Sequence, residues 1–266
     1  MKKEYILQTE RIFFKHESSE NLSCNTYSMH THNTYELIYF LEGDATHVIE
    51  DRKYKLKKGD LILIRPFRYH FIQIDAPAKY ERYDILFDRE KHGVESVDLI
   101  PESMEVINLA GNDIAREIFR KCDLYRGRCD EETFGKILAH LLSELFYNIS
   151  MMPQSPQEGS ESVSPLISRV LRYINENLCT VGEIKEIANH FFISESYLFR
   201  LFRAELHQTP KKYIQDKRLL LAQRMLLSGK KPSVVCEECG FGDYTSFYRN
   251  YHSFFGHPPS HEGGGE

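Results

Sequence analysis

A short pattern, apolar-x-Arg-x-aromatic, occurs twice in the C-terminal part of the chain. Residues Leu198–Phe202 read LFRLF and residues Phe247–Tyr251 read FYRNY, so the two copies start 49 positions apart. A predicted short helix and a tight turn precede each copy, at 184–188 in the first case and at 234–242 in the second. Two similar helix-turn-helix units are the simplest account, and they restrict this half of the chain to an all-α fold.

Each copy is predicted to bury one apolar stripe and to expose the residues beside it. In the first copy Ser194 is the predicted N-cap, Leu198, Leu201, Phe202 and Leu206 form the stripe, and the exposed residues are Glu195, Ser196, Phe199, Arg200 and Arg203. In the second copy the stripe is Phe247, Tyr251, Phe254 and Phe255, and the exposed residues are Tyr244, Thr245, Tyr248, Arg249 and His252. Such faces suit the DNA major groove, where Arg pairs with guanine or phosphate; solvated faces of a helical bundle are the alternative.

The segment between the two copies predicts one rigid helix. Pro210 opens it and Gly229 ends it as a C′ glycine. This helix would hold the two units at a fixed separation, as reading successive major-groove faces about 34 Å apart requires. Upstream, the spacing of Thr180 and Glu183 predicts a capping box at the start of the first short helix.

Residues 181–259 resemble the DNA-binding domain of the AraC/XylS family of bacterial transcription regulators. The matching stretches are ISESYLFRLF at 193–202, KRLLLA at 217–222, GFGD at 240–243 and FGHPP at 255–259. The resemblance implies that the recognition helices begin at Ser194 and near Asp243. It also implies that the residues reading DNA include Ser196, Phe199 and Arg200 in the first unit and Tyr244, Thr245 and Arg249 in the second.

The N-terminal half begins with short runs typical of β-strands. They are Glu36–Leu41, Ala45–Glu50, Lys53–Leu56, Asp60–Ile64, His70–Ile74 and Tyr80–Phe87, separated by turn residues, and they favour a sandwich or small barrel. After Pro101 the apolar period changes to that of helices. One predicted stripe is Ile114, Ile118 and Cys122; a broader one comprises Ile137, Leu138, Leu141, Leu142, Leu145, Phe146 and Ile149, either as plain core or as core plus a surface for a second subunit.

Four polar residues of the β-rich half form a second motif. His30, His32 and Glu36 share one side of a strand, and His70 follows a downstream turn. The pattern resembles the two cupin motifs, and a cupin barrel is the usual sensing domain of AraC-type regulators. We expect His30, His32, Glu36, Arg65 and His70 to line a pocket for a small polar effector, with sugars as the family-level expectation.

Two other interpretations of these residues stay open. His30, His32, Glu36 and His70 suit Zn, Fe, Mn or Ni by ligand type, which would make the chain a metal-dependent cupin enzyme, an isomerase or dioxygenase. Alternatively, Glu36 and a neighbouring His only satisfy one another. The preferred interpretation has no bound metal, no cofactor and no catalytic residues.

Domain organisation follows from composition and charge. The predicted architecture is α+β: a cupin-like barrel at 1–100, dimerising helices at 101–150, a linker at 151–164 rich in Pro, Ser and Glu, and a double helix-turn-helix domain at 165–266. Residues 1–164 carry 21 Lys and Arg against 28 Asp and Glu, a charge of −7, while residues 165–266 carry 13 against 11, a charge of +2. The overall charge of −5 therefore does not exclude nucleic acid, although +2 predicts weak non-specific binding.

The expected setting is the cytoplasm of a bacterium. Six Cys in 266 residues are too few for a disulfide scaffold, and Cys236-x-x-Cys239 lacks a second ligand pair for zinc. No signal peptide or membrane span is predicted. The expected partners are double-stranded DNA, a small-molecule effector and a second copy of the chain, with RNA polymerase as a further candidate; a helical domain that binds protein instead of DNA is the remaining alternative.

Overall fold

The computed structural model describes residues 12–22, 29–153, 160–162 and 164–262. These residues fall into two compact units, one of which is Gln8–Glu161 while the other contains Ser162–Glu266. The division lies inside the segment 151–164 for which a linker is predicted. A β-rich N-terminal unit followed by a helical one agrees with the order expected from the sequence.

Two sheets form the core of the first unit, and the first eight strands of the chain pair in them in antiparallel fashion. The five-stranded sheet has the order β1-β7-β2-β5-β8, with β1 Phe13–Leu22, β2 Tyr35–Glu42, β5 Asp60–Ile64, β7 Ala78–Phe87 and β8 Val106–Asn108. The second sheet has the order β6-β3-β4-β9, with β3 Ala45–Ile49, β4 Arg52–Lys55, β6 His70–Ile74 and β9 Ser160–Ser162. All six strands predicted from the sequence are present, with ends that differ by at most two residues.

The sheet formed by β2, β5 and β7 is buried on both faces. Even-numbered residues such as Ile38 and Phe40 join the side chains of β3, β4 and β6 in one core. Odd-numbered residues such as Leu37 and Tyr39 pack with the following helices in another core. Because successive side chains of a strand point to opposite faces, this double burial accounts for the continuous apolar runs in these strands.

The two helices after the sheets are α1 Asp113–Arg126 and α2 Glu131–Ser150, capped by the side chains of Asn112 and Asp130. The broad stripe of α2 lies in the core beside the sheet, with only Ile137 partly buried. The stripe predicted for α1 is wrong in one position, because Ile114 is 47% exposed. The buried residues of α1 are Ala115, Ile118, Phe119 and Cys122.

Two strands of the first sheet were not predicted. Strand β1 reads FFKHESSENL, in which only the first two residues and the last are apolar. It lies at the edge of the sheet, paired through one side to β7, so most of its side chains need not be apolar. Strand β8 has three residues and pairs with β5, too short for a periodic signal.

The second unit consists of helices. They are α3 Pro165–Glu176, α4 Ile184–His190, α5 Glu195–Leu206, α6 Pro210–Leu227, α7 Pro232–Glu238 and α8 Tyr244–Phe255, followed by a 3₁₀ turn at Pro259–His261. The predicted capping box is wrong: Glu183 is the N-cap of α4 and its side chain makes no capping bond, while the Thr180 hydroxyl donates to the Asn177 carbonyl. No helix of the described ranges is long and apolar enough to cross a membrane.

Candidate functional site

Helix α5 is held by a buried stripe and exposes the residues singled out from the sequence. The Ser194 hydroxyl accepts a hydrogen bond from the Tyr197 backbone N–H at 3.1 Å and so caps the helix. Leu198, Phe202 and Leu206 are fully buried. On the other side, Glu195, Ser196, Arg200 and Arg203 are exposed and Phe199 is half-buried, and with Ala204 they line a concave strip of the surface.

Helix α8 has the same arrangement in the second helix-turn-helix unit. The Asp243 carboxylate caps it by accepting from the Ser246 backbone N–H at 2.7 Å. Phe247 and Tyr251 are fully buried and join the core formed with α6 and α7. The exposed residues of the predicted set are Tyr244, Thr245, Tyr248 and Arg249, and Asp243 at the cap is exposed as well.

Arg218 on α6 ties the two helix-turn-helix units together. Its guanidinium donates to the Leu178 and Val181 carbonyls, at 2.9 and 2.6 Å, in the segment before α4. It also donates to the Gly240 carbonyl, at 2.8 Å, in the turn between α7 and α8. Because hydrogen bonds from a charged donor are stronger than neutral ones, this residue fixes the turn of the second unit against the first.

Gly240 lies where only glycine fits. Its φ is +75°, a left-handed backbone conformation, and a Cβ built there would lie 2.1 Å from the Cys179 carbonyl oxygen. The two units approach each other closely at this point. Cys239, next to it, is fully buried with its Sγ 3.4 Å from the Met225 Sδ, so the Cys-x-x-Cys pair belongs to the core here.

In the β-rich unit four of the predicted residues converge. The ligand-type atoms of His30, His32, Glu36 and His70 all lie within 4.8 Å of one another. Glu36 Oε2 is 3.0 Å from the His32 Nε2 and 2.8 Å from the His70 Nε2. His32, Glu36 and His70 are each less than 10% exposed, whereas His30 is half-buried. We call these four residues the sensor cluster.

Backbone pairing positions the sensor cluster. His30 and His70 form an isolated antiparallel bridge in which each backbone N–H donates to the other's carbonyl, at 3.1 and 3.0 Å. Glu36 lies in β2, where its cross-strand neighbours are Ile64 and Leu86. Its side chain therefore points to the same face as Ile38 and Phe40, towards the core between the two sheets.

The cluster continues into a second buried polar layer, which the sequence did not reveal. Asp84 and Arg82 on β7 form an ion pair at 3.1 Å, and His47 on β3 stacks on His70 with ring centroids 6.0 Å apart. Asp84 is 0% exposed. Burial and the Glu36 carboxylate raise the pKa of Asp84 to about 7, against the opposing effect of Arg82.

The charges of the cluster shift one another's pKa. Burial alone would raise the pKa of Glu36, but the neighbouring His70 and His32 outweigh it and hold that pKa well below its usual value. Burial would lower the pKa of His70, and the Glu36 carboxylate more than compensates, so the pKa of His70 is raised. Burial together with His70 lowers the pKa of His47 well below its usual value, which keeps that ring neutral.

Comparison with known proteins assigns both units. Residues 20–93 match the family model of the AraC-like ligand binding domain, and residues 187–262 match that of a helix-turn-helix domain. The chain is 24% identical over 225 residues to the uncharacterized HTH-type transcriptional regulator YfiF of Bacillus subtilis, covering 80% of this chain and 71% of that protein. It is also 24% identical to the Msm operon regulatory protein of Streptococcus mutans, over 248 residues, with 86% and 83% covered. The chain belongs to the AraC family of transcriptional regulators.

A further AraC-family relative is the transcriptional activator RhaR of Cronobacter sakazakii, 24% identical over 237 residues, with 84% of this chain and 82% of RhaR covered. These relatives favour a regulator over the metal-dependent enzyme considered above. As an AraC-family regulator, the chain combines a ligand-binding domain with a DNA-binding domain of the helix-turn-helix type. The resemblance inferred from residues 181–259 is thereby confirmed.

Not every residue predicted for the effector pocket joins the sensor cluster of this AraC-family chain. The guanidinium of Arg65 donates to the Ile100, Pro101 and Met104 carbonyls, at 3.0, 2.7 and 3.3 Å. Arg65 thus holds the segment between β7 and β8 in place. The residues that sequence reasoning missed, His47, Arg82 and Asp84, are interior polar residues of strands, and their only signal is a polar residue at an inward-facing position.

Proposed function

We propose that this AraC-family chain reads DNA with α5 and α8, and that each helix occupies one of two successive major-groove faces. The observation that carries the proposal is the pair of side-chain-capped helices, each held by buried apolar residues and each exposing one arginine of the repeated pattern, Arg200 or Arg249. An Arg on an exposed helix face contacts guanine O6 and N7 in the major groove or pairs with phosphate.

The fixed connection between the two helix-turn-helix units supports the proposal that each recognition helix reads its own major-groove face. Arg218 of α6 and the close approach at Gly240 hold the turn of the second helix-turn-helix unit against the segment that leads into α4, which ties the two units together. Rigid spacing suits recognition of two groove segments one helical turn apart, about 34–36 Å. The proposed contacts are Ser194, Glu195, Ser196, Phe199, Arg200 and Arg203 in α5 and its cap, and Asp243, Tyr244, Thr245, Tyr248 and Arg249 in α8 and its cap.

The β-rich unit is proposed to bind the effector that controls this activity. We infer a cupin-type barrel whose sensor cluster contacts a small polar molecule, because His30, His32, Glu36 and His70 gather hydrogen-bonding groups between the sheets. Arg65 is left out of this set, since three carbonyls already occupy its guanidinium. The effector's chemical class is polar; a sugar remains the family-level expectation.

A homodimer formed through α1 and α2 completes the proposal. The broad stripe of α2 is used in the core, so the surface for a partner has to come from other residues. Ile114, Tyr147 and Met151 are exposed by 47%, 57% and 77%, and they lie at the start of α1 and the end of α2. These ends are adjacent, since the Asn112 amide donates to Asn148 Oδ1 at 2.8 Å. Contact with RNA polymerase stays a prediction.

Selection of duplexes from a random pool by the full-length chain tests the DNA proposal. The selected duplex is then titrated with the wild-type protein and with Arg200→Ala and Arg249→Ala. Loss of a bidentate base contact costs about 1–3 kcal/mol, so we expect the dissociation constant of each variant to rise about 5- to 150-fold.

Arg172→Ala is the matched control for this titration. Arg172 is exposed on α3, outside the proposed surface, and the substitution removes the same single charge. We expect it to weaken binding by less than a factor of about 5, since it loses only long-range electrostatic attraction. Equal effects of all three substitutions, or unchanged binding by both α5 and α8 variants, would contradict the recognition-helix assignment.

A further inference from the structure

The short turn that follows α8 brings one carboxylate back into the helical unit. Glu262 comes directly after the 3₁₀ turn Pro259–His261, and its side chain is only 5% exposed. Its Oε1 accepts a hydrogen bond from the Gln223 Nε2 of α6 at 2.7 Å and from the Tyr251 hydroxyl of α8 at 2.8 Å. The His257 Nε2 lies 3.4 Å from the same oxygen. One oxygen atom therefore joins α6, α8 and the segment after α8.

The two donors that bond this oxygen are themselves buried. Gln223 and Tyr251 are both 0% exposed. Burial and the Glu262 carboxylate raise the pKa of Tyr251, so its phenol stays protonated and donates. A buried carboxylate is costly without donors, and hydrogen bonds to a charged acceptor are shorter and stronger than neutral ones. These two bonds therefore restrict how α8 can lie on α6.

Tyr251 lies on the side of α8 opposite to the proposed DNA face. Two residues span about 200° of a helix, so Arg249 and Tyr251 point in nearly opposite directions. The hydroxyl is at the tip of the Tyr251 side chain, far from the helix axis. A hydrogen bond at this point therefore limits rotation of α8 about its own axis, and with it the direction in which Arg249 points.

The apolar core does not supply this restriction by itself. Phe247 and Tyr251 pack with residues of α6 and α7, but apolar burial is non-directional. Hydrogen bonds depend on angle as well as distance. Arg218 fixes the turn before α8 through the Gly240 carbonyl, and Glu262 fixes the helix again near its C-terminal end. Binding side chains need placement within about 0.5 Å and 10–20°, which two such contacts can provide.

We propose that Glu262 is a positioning residue for the second recognition helix. By accepting from Gln223 and Tyr251 it sets the rotation of α8 on α6, and through that rotation it controls base discrimination by Arg249. The inference rests on the proposed function, in which α8 reads DNA. None of the groups bonded to the Glu262 oxygen lies in α5, so discrimination by Arg200 should not depend on Glu262.

The test measures base discrimination, because a general loss of stability would lower affinity for every duplex alike. Full-length wild-type, Glu262→Ala and Tyr251→Phe proteins are titrated with the selected duplex and with its single-base substitutions. One bidentate contact discriminates between bases by about 5- to 150-fold. At the positions that Arg249→Ala identifies, we expect both variants to lose at least about 5-fold of discrimination. At the positions that Arg200→Ala identifies, we expect changes below about 2-fold.

Three comparisons isolate the role of the carboxylate oxygen. In Glu262→Gln the amide oxygen still accepts from Gln223 and Tyr251, so this variant should keep discrimination within about 2-fold of the wild type. Tyr251→Phe keeps its ring in the core, so it should fold even where Glu262→Ala does not. Glu237→Ala is the matched control: it removes an exposed carboxylate of α7 in the same helix-turn-helix unit, and it should leave discrimination unchanged.

The outcomes separate this inference from the proposed function. Equal losses at both sets of positions, unchanged discrimination in Glu262→Ala and Tyr251→Phe, or a Glu262→Gln variant no better than Glu262→Ala would overturn the positioning role. In those cases Arg249→Ala still loses discrimination, and the proposal that α8 reads DNA stands. If Arg249→Ala itself loses none, both the proposed function of α8 and the role of Glu262 are overturned.

Discussion

The two sets of residues proposed to carry function are held in opposite ways. On α5 and α8, Arg200 and Arg249 project from helices whose other faces are packed, and both side chains are exposed. In the β-rich unit, His32, Glu36 and His70 are buried between strands and depend on one another for partners. Function and stability are therefore separable on the helices, whereas in the sensor cluster a change to one residue also changes the fold's stability.

The physical reason is desolvation. A charge on an exposed face keeps its water, and exposed ion pairs contribute at most about 1 kcal/mol. A buried charge that loses its partner keeps its full desolvation penalty. Substitutions in each region therefore test whether removing a buried charged side chain destabilises the fold more than removing an exposed one.

The largest effect is expected for Arg82→Met in the second buried layer. Arg82 is 8% exposed and pairs with the wholly buried Asp84, so its removal leaves the Asp84 carboxyl group buried without its ion-pair partner, whether charged or protonated. We expect the free energy of unfolding to fall by about 3–5 kcal/mol, measured by urea denaturation of the full-length chain.

The control is an exposed ion pair on the same unit. Lys136 and Glu132 on α2 lie 2.8 Å apart with both side chains more than 70% exposed. Lys136→Ala should change the free energy of unfolding by no more than about 0.5 kcal/mol. Similar losses of unfolding free energy for Arg82→Met and Lys136→Ala would show that burial does not determine the cost of removing a charged side chain.

A smaller loss is expected for Gly240→Ala in the helical unit. A residue with a Cβ at φ +75° is strained by about 1–3 kcal/mol, and the clash with the Cys179 carbonyl oxygen adds to it. Thermal and urea unfolding should show the loss, because the packing between the two helix-turn-helix units, unlike their exposed faces, stabilises this part of the fold.

Gly242→Ala is the matched control, two residues away. No atom lies within 4 Å of a Cβ built at Gly242, and its φ is not in the left-handed region. We expect a change within about 0.5 kcal/mol, typical of surface positions. If both alanines are tolerated equally, the close approach at Gly240 does not stabilise the unit.

The smallest effect on stability is expected for Arg200→Ala and Arg249→Ala. Both residues are exposed, so each variant should unfold within about 0.5 kcal/mol of the wild type even where its DNA affinity falls sharply. Parallel unfolding and duplex titrations check this. A loss of stability as large as the loss of DNA-binding free energy would contradict the claim that function and stability are separable on α5 and α8.

Much of the helical unit was predictable because its signals are local. The buried residues of α5 and α8 and the cap at Ser194 follow from spacing along one helix, although Leu201, Phe254 and Phe255 of the predicted stripes are only partly buried. Thr180 and Glu183 have the spacing of a capping box without forming one, since Thr180 bonds instead to Asn177. Local spacing does not show which of two competing hydrogen bonds forms.

The β-rich unit was less predictable, since its key contacts join distant segments. The convergence of His30 and Glu36 with His70 was expected, but the inward positions of His47, Arg82 and Asp84 were not. Strands buried on both faces give no alternation from which to assign a side. Arg65 illustrates the same limit, because its three carbonyl partners lie 35 to 39 positions later in the chain.

The central claim is that two rigidly connected helices read two separate groove faces. Its most direct test is the affinity of wild-type, Arg200→Ala and Arg249→Ala protein for every single-base substitution of the selected duplex. The account predicts that each variant loses discrimination at its own base positions and that the two sets lie about 10 bp apart. If both variants lose discrimination at the same positions, or if neither loses any, the account is contradicted.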